Sequence, residues 1–137
     1  MQTFLPYPSF IDSAEVLDMR RLGKQRVEVI QLLKALHGGG AWEKHPACKM
    51  WRGYENALVV YGRCICAEWV RRGYKDTCFN KINLFWNDGA DKLLPEWLGN
   101  EAFHAAHRSN LLRKDPEHYG QFKWTEPNDL PYIWPVD

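Results

Sequence analysis

SAEVLDMRRLGKQRVEVIQLLKALHGGG, residues 13–40, decides the fold class. Val16, Leu22, Val27, Ile30, Leu33 and Leu36 fall near one stripe at helical spacing, and no proline interrupts them. Ser13 is a candidate N-cap, with Glu15 in the first turn. Gly38, Gly39 and Gly40 then stop the helix. The reading is one helix over about residues 13–37. Gly23 interrupts it at roughly 1 kcal/mol relative to Ala, which fits a kink near Asp18 or a close backbone approach at that point.

The same pattern recurs outward from this stretch. Trp51, Tyr54, Ala57, Leu58, Tyr61, Ile65, Glu68 and Trp69 recur at spacings of three and four, predicting a second helix over about residues 50–72. Arg71 and Arg72 supply a basic last turn and Gly73 the stop. Asn100 caps a third helix that runs to about Lys114, where Pro116 ends it. Residues 1–11 hold Pro6 and Pro8 among aromatics and read as an ordered arm pinned by Phe4, Tyr7 and Phe10. Residues 41–49 read as a loop, and Asn87-Asp88-Gly89 as a turn before a short apolar patch at Leu93, Leu94, Trp97 and Leu98. The tail (Tyr119, Phe122, Trp124, Tyr132, Trp134) is too aromatic for a loose end and reads as an ordered coil. No segment alternates with a period of two. The expectation is all-α: one compact domain over 1–137, with three main helices and aromatic-rich irregular segments.

Composition bounds the function. The 137 residues are 45% hydrophobic, 14% aromatic and 26% charged, which excludes disorder, collagen and coiled coil. No apolar run is long enough to span a membrane, and the N-terminus lacks the basic and apolar regions of a signal peptide. A cytoplasmic monomer follows as the expectation. Cys48, Cys64, Cys66 and Cys78 form no CxxC pair and read as buried thiols; no spacing suits a metal. Nucleotide-loop, hydrolase-elbow and zinc-protease motifs are absent, so no cofactor is expected. Net charge is +1, but residues 1–114 carry 17 Lys/Arg against 12 Asp/Glu, while residues 115–137 carry Lys123 against five acids (Asp115, Glu117, Glu126, Asp129, Asp137). The basic surplus suits a phosphate-bearing partner.

Three clusters are candidates for chemistry. On a helix Arg21, Lys24, Gln25 and Glu28 share a face, with Arg20 and Arg26 beside them. They read either as a phosphate site with Lys24 as an amine nucleophile among cations, or as a solvated face. His104, His107, Arg108 and Lys114 follow on the third helix, as phosphate or base contacts or as satisfied core histidines. His45, in a loop with Trp42 and Trp51, is a candidate for stacking a base or for core packing.

The stretches over residues 17–27, EWVRRGYKDT (residues 68–77) and EAFHAAHRSNLLRKDPEHYGQF (residues 101–122) resemble the pyrimidine-dimer DNA glycosylase/AP lyase family of the phage endonuclease V type. Bacterial relatives of that family are closer still, sharing RLGKQRVE, HPAxxMW and HRSNLLRKDPEHY. The resemblance implies an all-α fold, a damaged-DNA duplex as partner and base excision through an amine Schiff base. In that mechanism the N-terminal amine attacks C1′ and a helix-borne glutamate moves protons. Two departures stand out. Gln2 is bulky, so Met1 is expected to stay and to supply the amine. The glutamate position counts to Gly23. Arg26 carries over, and Arg108 matches a phosphate-binding arginine. A rebuilt site would use Lys24 as the amine and Glu28 as acid/base. The alternatives are a noncatalytic nucleic-acid or nucleotide binder on the same scaffold and an enzyme acting on a modified nucleoside in an enclosed pocket.

Overall fold

The computed structural model describes residues 1–40, 42–90 and 93–136; Asp137 of the tail acids and the first residue of the 41–49 loop lie outside them. Its helices are α1 (Phe10–Val16), α2 (Met19–Gly38), α3 (Pro46–Lys49), α4 (Glu55–Arg71), α5 (Phe79–Asn83), α6 (Glu101–Lys114) and α7 (Pro116–Tyr119), closed by a 3-10 turn, Gly120–Phe122. No strand occurs among the described residues. The fold is all-α, and α2, α4 and α6 are the three main helices.

Local hydrogen bonds set the boundaries where periodicity alone misplaces them. The helix expected over residues 13–37 is two helices. Leu17 and Asp18 are extended, and the Asp18 carboxylate accepts from Arg21 N at 3.3 Å, opening α2. A short acid able to bond its own backbone starts a new helix more easily than it continues an old one. Ser9, not Ser13, caps α1 through Asp12 N. Ser13 is buried, and its hydroxyl bonds the backbone of Tyr7. Residues 46–54 are α3 and a turn rather than the start of α4. Pro116 does not merely end α6: it sits in the first turn of α7, whose cap is Asp115.

α2 packs along α4, which also carries α1 and α5. Gly62 of α4 permits the approach, because a Cβ there would lie 2.8 Å from Val29 Cγ1. The inner face of α2 is Leu22, Gln25, Val29, Leu32 and Leu33; Val27, expected on the stripe, is 46% exposed. Trp51, Tyr61, Phe103 and Tyr119 are fully buried. Leu93 and Leu94 stay exposed, while Trp97 and Leu98 pack against the core.

The N-terminal arm is held by side chains, much as a sheet would hold a strand. Gln2 O accepts from Gln25 Nε2 at 2.6 Å, and Phe4 N donates to Gln25 Oε1 at 3.1 Å. Tyr61 OH lies 2.8 Å from Phe4 O and 2.6 Å from Gln25 Oε1, its single proton serving one of them at a time. Leu5 N donates to His107 Nδ1 at 2.9 Å, and Leu5 O accepts from His104 Nδ1 at 2.8 Å. Arg108 donates to Pro6 O at 2.8 Å. A buried segment outside regular structure must find partners for its backbone, and here α2, α4 and α6 supply them.

The tail is an ordered coil along α6. Leu130 N donates to Ser109 Oγ, and Asn110 Nδ2 donates to Leu130 O, both at 3.0 Å. Trp124 stacks on Tyr119 with ring centres 5.6 Å apart and donates to Tyr7 OH at 2.8 Å.

Candidate active site and nucleic-acid interface

The arm delivers Met1 to one wall of a hollow of about 410 Å³. The first turns and mid-face of α2 bring Arg20, Arg21, Lys24, Gln25 and Glu28 to the same hollow. Lys114, in the last turn of α6, and Tyr132 of the tail complete it, with Gln2 and Phe4 beneath. Cations from two separate helices thus share a hollow with Met1. Glu28 is the one carboxylate among the described residues lining it.

The electrostatics follow from what each charge touches. Glu28 is buried, accepts from Gln25 Nε2 at 2.9 Å and lies 3.6 Å from Lys24 Nζ. The Lys24 side chain is 76% exposed. It is solvent-exposed, and its ion-pair partner is the Glu28 carboxylate. Arg21 is paired with Asp18 at 3.2 Å. Burial, then the charges of Arg21, Arg113 and Lys24, hold Lys114 below the usual lysine pKa. Such a cluster with little carboxylate has the charge that phosphate oxygens require.

Several residues expected at this site lie elsewhere. Arg108 is buried against Glu101 and Glu126, with its third bond to the arm; each of its three guanidinium nitrogens is bonded within the protein, and it does not line the hollow. Its place in the hollow is taken by Lys114, six residues on. Arg26 bonds Asp76 at 2.7 Å and lies over the Trp69 ring at 4.4 Å, tying α2 to the segment before α5. His104 and His107 are completely buried arm clamps. Burial holds both below the usual histidine range, His107 to about 3. Trp51 is core and donates to Thr3 Oγ1.

Gly23 faces away from the hollow. At about 100° per residue it lies roughly 140° around α2 from Glu28. A Cβ there would sit 2.9 Å from Trp69 Cη2. The glycine accommodates an indole, not a sugar, and a glutamate at this position would not reach the hollow.

His45 lies off the hollow but beside it. Its Nδ1 accepts from Ala47 N at 3.0 Å, capping α3. Its ring meets Trp42 at 5.5 Å and Trp134 at 5.8 Å, and Trp134 meets Tyr132 of the hollow at 5.7 Å. Burial, then the charge of the Met1 ammonium, lowers its pKa.

The sequence places Gln25 on its helix face without a role, and Tyr132 reads only as part of the aromatic tail. A glutamine among the apolar inner positions of α2 was the available signal for Gln25, since a buried amide must be bonded. Tyr132 had none, because a Pro-flanked coil has no periodicity to read.

No curated protein and no solved structure matches the chain. A family model described as pyrimidine dimer DNA glycosylase matches residues 1–81. The match spans the arm, α1 to α4 and most of α5, hence Met1, Lys24 and Glu28, while Lys114 and Tyr132 lie beyond it. A glycosylase-like role in DNA repair, with DNA as the substrate, comes with that match. The match covers more than half of the sequence, and the chain belongs to the pyrimidine dimer DNA glycosylase family.

Proposed function

We propose that the chain excises a damaged base from duplex DNA and then cuts the strand, with the Met1 α-amine as nucleophile and Glu28 as the group that moves protons. One observation carries this reading: Met1, the buried Glu28 and cations from α2 and α6 line a single hollow. In the proposed reaction the neutral amine nitrogen attacks C1′ of the target nucleotide. The C1′–base bond breaks, and the base leaves with the bonding pair and takes a proton. The nitrogen loses one proton, and its lone pair opens the sugar ring: the C1′–O4′ bond breaks, O4′ takes a proton, and a protonated imine is left at C1′. Removal of a C2′ proton then expels the 3′ phosphate by β-elimination. Glu28, bonded to Gln25 and next to Lys24, is the carboxylate in reach of these proton transfers. Arg20, Arg21 and Lys114 take the flanking phosphates of an everted nucleotide.

Lys24 serves in this reading as the exposed ion-pair partner of Glu28, at 3.6 Å, and not as the nucleophile. The hollow is partly open to solvent, which suits a strand better than an enclosed nucleoside. A noncatalytic DNA-binding role is favoured by one feature, that Glu28 already spends both oxygens on Lys24 and Gln25.

Strand cutting of an abasic duplex separates the two. Glu28→Gln is expected to slow cutting by about 10²–10⁴-fold while DNA binding persists. Equal rates for variant and wild type would remove Glu28 from the mechanism. Failure of the wild type to cut would leave the binding role.

A further inference from the structure

A second hollow, of about 660 Å³, is lined by Glu43, Lys44, Lys49, Arg52 and Val136. Three cations face one carboxylate there. Between the two hollows runs a row of rings: Tyr132, Trp134, His45 and Trp42, with neighbouring centres 5.5–5.8 Å apart. Trp42 is 41% exposed, and His45 and Trp134 are half-buried. The row begins at a residue of the first hollow, and Lys44 and Val136 of the second are chain neighbours of His45 and close to Trp134 in sequence.

His45 carries a defined polar group. Because Ala47 N–H donates to Nδ1, the neutral ring bears its proton on Nε2 and is a donor there, not a base. A neutral N–H between two indoles suits a base edge or a phosphate oxygen. A row of rings with cations at either end suits an unpaired strand, since bases stack on rings while phosphates follow the charges.

We infer that this row and the second hollow hold the DNA strand that continues from the target nucleotide, unpaired over at least one base, with its phosphates on Lys44, Lys49 and Arg52. The inference rests on the reading of the first hollow as the nucleotide site. It extends the DNA contact from one hollow to two and makes opened duplex next to the lesion the preferred substrate.

The test is binding of abasic oligonucleotides with and without a single-stranded extension, across 50–200 mM salt, by wild type, Lys49→Gln/Arg52→Gln and Trp42→Ala. The extension is expected to tighten wild-type binding. The double variant loses that gain and lowers the log–log salt slope by about 1.4, for two phosphates at about 0.7 each on a single strand. Trp42→Ala loses at least about fivefold on the extended strand. An unchanged slope in the double variant, or an extension that adds nothing in the wild type, would overturn the inference. Reductive trapping of a short abasic oligonucleotide, run alongside, reports on the first hollow alone. No trapped product with an altered salt slope would sink the proposed chemistry and leave the strand path standing.

Discussion

Acidification should loosen the arm before it touches the rest of the fold. His107 is completely buried, accepts from Leu5 N and is held by burial to a pKa of about 3, against an ordinary value of 6.5. A group whose pKa is depressed in the fold and which is neutral there binds its proton more readily unfolded. Stability therefore rises with pH between about 3 and 6.5 and is lost as pH falls through that window. Going from pH 7 to pH 5, this one residue costs about 2 kcal/mol, a large part of a typical 5–15 kcal/mol total. His104 adds in the same direction, because burial lowers its pKa too. The other charged groups with resolved shifts nearby do not cancel it: Asp18, Glu68 and Asp76 are all lowered, so their contribution is lost only near and below the usual carboxylate range. Urea unfolding at pH 7 and pH 5 reads the effect, with an expected midpoint drop of roughly 1 M. His107→Gln, whose amide oxygen can still accept from Leu5 N, should remove about 2 kcal/mol of that dependence. A midpoint that does not move, or a His107 ring that titrates near 6.5 by NMR, would refute the reasoning. Because the same clamp positions Met1, cutting activity should fall along with arm protection from amide exchange.

Gly23→Ala should destabilise the fold by about 1 kcal/mol, although alanine is the better helix former. The new methyl meets Trp69, which cannot swing cheaply, being stacked on Tyr74 at 4.3 Å, under Arg26 and bonded to Lys75 O. A raised melting temperature would contradict this. Arg108→Ala should cost roughly 3 kcal/mol in chemical denaturation, since it strands Glu126 and frees Pro6 O; a loss below about 1 kcal/mol would mean the buried network contributes little.

Periodicity revealed the helices because their apolar faces repeat every three to four residues, and α6 kept its predicted cap because Asn100 bonds Phe103 N as its position implies. It failed between Val16 and Met19, where a single carboxylate, Asp18, restarts the helix. The candidate site was half legible. Arg20, Arg21, Lys24 and Glu28 face one way because helical geometry alone fixes their common side. The cluster on α6 was legible only in part, because residue type does not tell a phosphate-binding arginine from one that clamps a buried arm. Lys114 enters the hollow and Arg108 does not, and that distinction depends on where the arm and tail cross α6. The meeting of His45 with Trp134, nearly ninety residues later, is likewise a product of the tail's path and leaves no trace in local sequence.

Borohydride reduction of the protein with abasic duplex DNA, followed by peptide mass mapping, addresses the central claim most directly. The account predicts a sugar remnant on the α-amine of Met1, abolished when that amine is acetylated beforehand. A remnant on Lys24 or Lys114, or no covalent product at all, would contradict it.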